Sequence, residues 1–105
     1  MPVGYFNYGA DSYDIDDRTL VHVQTVVAQK LRRRERFMLT FETVLRGASV
    51  TCSVWMSDAA DLSFSYSGSR EARMDQDLLK EMMHASYSAT GLNLTHFSAN
   101  LRRAI

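Results

Sequence analysis

Residues 37–67 read FMLTFETVLRGASVTCSVWMSDAADLSFSYS, and apolar and polar side chains alternate along most of this segment. A period of two places successive side chains on opposite faces of a strand, so each alternating run has one buried face and one solvent-facing face. Arg46-Gly47-Ala48 has the composition of a hairpin turn between the first two runs. The sequence therefore predicts three consecutive strands, over residues 37–43, 49–56 and 62–67.

A helix is predicted on each side of these strands. The first begins at Asp16 and Asp17, which can cap the free N–H groups of its first turn. Its apolar face repeats every three or four residues and consists of Leu20, Val23, Val27 and Leu31. The basic run 30–34 suits its C-terminal end. The second helix is predicted over residues 75–89, with Gly91 as the left-handed residue that follows it.

Short strands are predicted near both ends of the chain. Residues 3–8 are aromatic and β-prone, and they form a predicted hairpin with residues 13–15. Residues 92–97 alternate again and form a predicted final strand. The sequence thus predicts a single α+β domain over residues 1–105. Its architecture is an antiparallel sheet with two helices packed on one face, in the order β-β-α-β-β-β-α-β.

The composition argues against several classes of protein. The 105 residues include 12 basic and 12 acidic side chains, so the whole surface is not built for nucleic acid or an anionic membrane. No apolar run approaches the roughly 18 residues of a membrane span, and the first residues lack the features of a signal peptide. The single cysteine cannot form an internal disulfide. We therefore expect a cytoplasmic protein without membrane contact.

No group of residues has the spacing of a catalytic or metal-binding site. Cys52 is in phase with the apolar side chains of its strand, so we expect a buried, unreactive thiol. The three histidines, His22, His84 and His96, are scattered along the sequence. Of these, His22 and His84 lie in the predicted helices and are expected on their outer sides. The glycine and distal glutamate of a calcium loop are missing around Asp14, Asp16 and Asp17. We expect no catalytic residue, no metal ligand and no cofactor.

Trp55 is the unusual residue on the solvent-facing side of the predicted strands. The other side chains of that side are Thr40, Glu42, Thr51, Ser53, Ser63, Ser65 and Ser67. Small hydroxyl side chains are normal on a solvated sheet face, whereas an exposed tryptophan is typical of interface hot spots. Either Trp55 contacts a partner, or a terminal segment such as residues 3–8 covers it.

Met83 and Tyr87 lie four residues apart, off the main apolar face of the second predicted helix. Exposed together, they would form a small apolar stripe suited to a partner or to a second copy of the chain. A wider buried face would instead absorb Met83 and leave Tyr87 alone. The candidate partner-binding residues are therefore Trp55, Met83 and Tyr87.

A basic cluster at the end of the first helix consists of Arg32, Arg33, Arg34 and Arg36. Clustered arginines bind phosphates, although cations also stabilise a helix C-terminus. Arg70, at the end of a Ser-Gly-Ser-Arg turn, could hold one further anion, and Arg102 and Arg103 could join the cluster. These arginines are the candidate nucleic-acid or anion-binding residues.

Four motifs are spread over most of the chain. They are Asp16-Asp17-Arg18-Thr19-Leu20, Lys30-Leu31-Arg32-Arg33, Trp55, and Phe64-x-Tyr66-Ser67-Gly68-Ser69-Arg70. Together they resemble a family of short, uncharacterised actinobacterial proteins, some of which carry the label ATP-dependent DNA ligase. Such ligases need a Lys-x-Asp-Gly nucleophile motif, which neither Lys30 nor Lys80 begins. The resemblance therefore implies no activity.

These observations predict a non-enzymatic interaction module that self-associates or binds a protein partner. The alternative is a small nucleic-acid-binding protein that uses the arginine cluster. An enzyme is the third class, and the sequence offers it no candidate nucleophile or acid–base pair.

Overall fold

The computed structural model describes residues 3–67 and 73–97. Its strands are β1 (Val3–Tyr8), β2 (Asp11–Asp16), β3 (Phe37–Leu45), β4 (Ala48–Met56), β5 (Leu62–Tyr66) and β6 (Leu92–Asn93). Its helices are α1 (Asp17–Arg32), α2 (Gln76–Ala85) and a short 3₁₀ helix, Leu94–Phe97. The α+β class and the order β-β-α-β-β-β-α-β are confirmed.

The strands form two three-stranded sheets, β2-β1-β5 and β4-β3-β6. The expected single sheet is divided because β5 pairs with β1 rather than with β4, its neighbour in sequence. The Gly9 N–H donates to the Asp61 carbonyl just before β5, and the Asn7 amide donates to Ser63 and Ser65 within it. Strand β6 is parallel to β3, since the chain returns to that sheet through α2.

Buried side chains from both sheets and from α1 form one core, with Phe6 at its centre. The Phe6 ring centroid lies 5.9 Å from that of Phe41 and 5.6 Å from that of Phe64, so it joins three strands. Helix α1 contacts β1 through Leu20, and a Cβ atom at Gly4 would lie 2.5 Å from the Leu20 Cδ2 atom. Glycine at position 4 thus allows the helix to reach the sheet.

Both helices begin at aspartates that the sequence identifies. Asp16 accepts a hydrogen bond from the backbone N–H of Thr19 at the start of α1. Asp75 accepts from the N–H groups of Asp77 and Leu78 at the start of α2. These bonds satisfy N–H groups that have no partner within the first turn.

The segment after α2 differs from the prediction. The helix stops at Ala85, earlier than expected, and Gly91 takes its positive φ of 78° at the entry to β6. A Cβ atom at Gly91 would overlap the Met38 carbonyl oxygen, so glycine permits the close approach of β6 to β3. The predicted final strand stops at Asn93, whose side-chain oxygen accepts from the Thr95 N–H and turns the backbone into the 3₁₀ helix.

His22 is fully buried between α1 and the start of α2, and its expected position on the outer side of α1 is wrong. Its Nδ1 donates to the Arg18 carbonyl at 2.7 Å, and its Nε2 accepts from the Asp75 N–H at 2.9 Å. In this pattern of bonds, Nδ1 carries the donated proton and Nε2 is the acceptor. Periodicity marks the face of α1 toward the sheet, whereas α1 also packs against α2.

We expect His22→Phe to lower the free energy of unfolding by about 2–3 kcal/mol, because the Asp75 N–H would lose its buried acceptor. His84→Phe is the matched control, since His84 is exposed on α2, and it should change stability by about 0.5 kcal/mol or less. Urea denaturation followed by circular dichroism measures both variants. Equal stabilities would contradict the bridging role of His22.

Candidate partner-binding groove

Trp55 lies on the outer face of the second sheet, opposite Met38 of β3. Its side chain is 51% exposed. Strand β1 belongs to the other sheet, and its Tyr8 hydroxyl donates to the Trp55 carbonyl at 2.7 Å. Of the two alternatives left by the sequence, the structure therefore favours an exposed ring over a covered one.

The sequence predicts one solvent-facing surface for these strands, but the structure divides it between the two sheets. The second sheet carries Thr40, Glu42, Thr51 and Ser53 beside Trp55, and the Thr40 and Ser53 hydroxyls bond each other at 2.7 Å. Ser63 and Ser65 lie in the first sheet, because β5 pairs with β1. The surface around Trp55 is therefore formed by β3 and β4 alone.

Tyr87 lies beyond the end of α2 and is 56% exposed. Met83 is half-buried and packs against the core. The two residues do not form an exposed stripe, because the buried face of α2 is wide enough to include Met83. Tyr87 is the one available to a partner.

Trp55 and Tyr87 line the same groove, which has a volume of about 580 Å³. Arg36 and Glu35, from the connection between α1 and β3, supply charged side chains to it. The rest of the lining includes Lys30, Phe37, Met38, Ser86, Ser88 and Gly91. The groove thus forms where the end of α1, the β3–β4 pair and the segment after α2 meet.

Lys30 lines this groove although its side chain is almost completely buried. Its Nζ atom lies 3.7 Å from the centroid of the Tyr87 ring and 5.2 Å from that of Phe37, which are cation–π contacts. The Ser86 carbonyl at 3.5 Å and the Glu35 carboxylate at 3.9 Å also face Nζ. Burial lowers the pKa of Lys30, and the nearby Glu35 carboxylate opposes that shift.

The Tyr87 hydroxyl is held between two charged groups. It accepts from Arg33 Nη2 at 2.8 Å and donates to Glu35 Oε1 at 3.0 Å. The hydrogen bond to Glu35 is the largest cause of the raised pKa of Tyr87. With the Lys30 contact to its ring, these bonds fix Tyr87 in place, so a ligand would meet a preformed wall.

The predicted arginine cluster is gathered only in part. Arg36 lines the groove, with its Nε atom 3.8 Å from the Asp58 carboxylate, and Arg33 supports Tyr87. Arg32 and Arg34 are exposed outside the groove lining. Three further arginines lie outside the described residues: Arg70, Arg102 and Arg103.

Cys52 packs against the core, as its phase along β4 predicts, but it is half-buried rather than fully buried. Within residues 3–67 and 73–97, no three His, Cys, Asp or Glu side chains are close enough together to hold a metal ion. In the same part of the chain, every helix is too short or too polar to cross a membrane.

Lys30 and Glu35 are groove residues that the sequence analysis does not single out. Lys30 follows Val26 and Val27 at spacings of four and three, so it continues the buried face of α1. This spacing is the signal in the sequence that Lys30 is buried, but Lys30 also begins the basic run 30–34, which suggests a solvent-exposed side chain. Glu35 has no such signal, since its bond to Tyr87 joins distant parts of the chain.

Comparisons with known proteins bear on the family and not on the groove. They give no match among curated proteins and none among solved structures. Residues 3–97 match a family described as a domain of unknown function, DUF7882. The match covers both sheets, both helices and every element that lines the groove. The chain therefore belongs to the DUF7882 family.

Proposed function

We propose that this domain is a non-enzymatic interaction module that binds a protein partner in the groove between Trp55 and Tyr87. The observation that carries the proposal is the exposure of both rings on one preformed groove. Tryptophan and tyrosine are enriched among the residues that dominate binding energy, because they bury a large area and lose little side-chain entropy.

The charges of the groove indicate the chemistry of the partner segment. Arg36 contributes an exposed guanidinium, and Lys30 contributes a positive charge beneath the Tyr87 ring. Glu35 is already bonded to Tyr87 and lies near Arg33 and Lys30. An acidic segment with an apolar or aromatic side chain would complement this arrangement, with the apolar group between the two rings and the carboxylate at Arg36.

Trp55→Ala is expected to weaken partner binding at least about tenfold, because it removes the largest exposed ring of the groove. Val44→Ala is the matched control, since Val44 is 64% exposed on β3 and outside the groove lining. Tagged wild-type and variant chains are cross-linked in the native host, and candidate partners are quantified by mass spectrometry. A purified candidate is then titrated, and binding of the wild type is followed by the fluorescence of Trp55, the single tryptophan.

The proposal requires a partner that Trp55→Ala loses and Val44→Ala retains, with the fold of both variants intact by circular dichroism. A partner retained equally by both variants would place the interaction elsewhere. An affinity of Trp55→Ala within about twofold of the wild type, measured with the purified partner by calorimetry, would also overturn the groove as the site.

A nucleic-acid-binding function is the second candidate, favoured by the presence of Arg36 and Trp55 in the lining of one groove. Arginine with an exposed aromatic ring is the combination that holds single strands through phosphate contacts and base stacking. Arg32, Arg33 and Arg34 would extend the phosphate contacts. This function predicts oligonucleotide binding that weakens steeply between about 50 and 200 mM salt, measured by fluorescence anisotropy. Absence of binding at low salt would count against it.

We also propose a cytoplasmic setting for this module, because its single cysteine cannot form an internal disulfide and a reducing compartment suits a free thiol. We propose no ligase activity, because the nucleophile motif of such enzymes is missing from the chain. Adenylation of the purified chain by labelled ATP tests that statement, and a labelled lysine would contradict it.

A further inference from the structure

The free edge of β4 is the longest unpaired strand edge in the described part of the chain. The edge strands are β2 and β5 in the first sheet and β4 and β6 in the second. Strand β4 spans nine residues, whereas β5 spans five and β6 two. Strand β2 carries three aspartates, and charges of this kind protect an edge from pairing. Strand β4 has no charged side chain and no proline, so its edge lacks that protection.

The pairing of β3 with β4 determines which backbone groups point to the free edge. Leu45 and Ala48 flank a two-residue turn, so their backbone groups exchange hydrogen bonds. The backbone N–H and C=O groups of every second residue of β4 after Ala48 also point toward β3. The N–H and C=O groups of Ser49, Thr51 and Ser53 therefore point away from β3. No backbone group within residues 3–67 and 73–97 bonds to them.

Tyr8 marks one end of this free stretch. The backbone groups of Trp55 also point away from β3, and its carbonyl accepts from the Tyr8 hydroxyl at 2.7 Å. This contact agrees with the outward direction deduced from the ladder. Because Tyr8 occupies the Trp55 carbonyl, the residues whose backbone N–H and C=O are both available are Ser49, Thr51 and Ser53.

The free stretch is complementary to itself about Thr51. In two antiparallel copies centred there, Thr51 lies opposite Thr51, and Ser49 lies opposite Ser53 of the other copy. Each such pair exchanges two hydrogen bonds, so the three pairs form about six. On the inner face Val50 lies opposite Cys52, and both are half-buried in the single chain, so pairing would cover apolar surface.

Charge does not oppose this arrangement. Glu42 pairs with Thr51 across the β3–β4 ladder and is the nearest charged side chain on that face. In the paired arrangement the two Glu42 residues are separated by three strand spacings, about 14 Å. That separation exceeds the Debye length of about 8 Å at physiological salt, so their repulsion is largely screened.

We propose that two copies of this chain form a twofold-symmetric dimer by antiparallel pairing of their β4 edges, centred on Thr51. Pairing joins the two second sheets into one continuous sheet. The dimer uses backbone groups of the edge and is independent of the groove, whose rings stay outside the paired residues.

Sedimentation velocity of the full chain from about 1 μM to 1 mM tests the dimer. Thr51→Pro removes the N–H at the twofold axis and leaves the bonds to β3 intact, so the dissociation constant should rise at least about tenfold. Thr51→Val retains the N–H and should dimerise like the wild type. Trp55→Ala should also dimerise like the wild type, which separates this test from that of the groove.

Disulfide cross-linking tests the same pairing in a chain that retains Thr51. Val50→Cys would lie opposite Cys52 of the other copy, in the closely spaced kind of antiparallel pair. Mild oxidation should then give a covalent dimer on a non-reducing gel. Combining Val50→Cys with Cys52→Ser should abolish that dimer, because the two copies of position 50 lie diagonally apart.

Single-chain mass of the wild type at all concentrations would overturn the dimer. So would equal dissociation constants for Thr51→Pro and Thr51→Val. A covalent dimer that persists after Cys52→Ser would overturn the register centred on Thr51.

Discussion

Gly91→Ala is expected to lower the free energy of unfolding by about 3 kcal/mol or more, the sum of backbone strain and a steric clash. Gly91 has a φ of 78°, which alanine adopts at a cost of about 1–2 kcal/mol. The added Cβ would also overlap the Met38 carbonyl in β3, which is backbone and has little freedom to move. Strand β6 would have to leave β3, and the groove wall at Gly91 would move with it.

Gly47→Ala is the matched control for Gly91→Ala. Gly47 has nearly the same φ, 79°, but a Cβ there would meet nothing within 4 Å. We expect a loss of about 1 kcal/mol from the φ angle alone. Urea denaturation of both variants isolates the close approach at Gly91, and equal losses would show that this approach carries no energetic weight.

Lys30→Glu is expected to destabilise the domain by about 3–5 kcal/mol, because it buries a carboxylate beside Glu35 and against the negative face of the Tyr87 ring. Lys30→Met is the informative comparison. It retains much of the volume and removes a buried charge, so we expect a change within about 1 kcal/mol. Thermal and urea denaturation measure both variants.

The two Lys30 variants also predict a pH dependence. Burial lowers the pKa of Lys30 in the folded domain below its usual 10.5. Between those two values the unfolded chain binds more protons than the folded chain, so the stability of the wild type should rise with pH. Lys30→Met should lack this rise, whose slope cannot exceed about 1.4 kcal/mol per pH unit.

The comparison is made below pH 10, because Tyr87 acts in the opposite direction above it. The raised pKa of Tyr87 keeps the folded form protonated where the unfolded chain has lost its proton, so stability falls as the pH rises through that range. Parallel pH profiles of the wild type and Lys30→Met would contradict the burial of the charged ammonium.

Local signals in the sequence predict the elements well, because each depends on neighbouring residues. The alternation over residues 37–56 predicts β3 and β4, and Arg46-Gly47 predicts the turn between them. Asp16 and Asp75 mark the helix starts through bonds to residues two or three positions away. These contacts need no information about the rest of the chain.

Long-range choices are not encoded in such signals. Alternation in β5 indicates which side chains share a face, but not that its partner is β1 rather than β4. His22 lies off the main apolar stripe of α1 and is buried by α2, which the helical period cannot anticipate. The groove likewise joins Trp55 of β4 to Tyr87 beyond α2, so sequence analysis identifies each ring separately and not their proximity.

The pairing of β1 with β5 also has a consequence for the order of events in synthesis. Asn7 and Ser63 belong to adjacent strands although 56 residues separate them, and all of α1 and the β3–β4 hairpin lie between. Closing so long a loop costs conformational entropy before the strands gain any free energy from pairing, and this slows folding. On the ribosome, the β3–β4 hairpin can form as it emerges, whereas the first sheet cannot be completed until Tyr66 has left the exit tunnel. The backbone N–H groups of β1 that bond to β5 should therefore acquire protection from hydrogen exchange later than those of the β3–β4 hairpin.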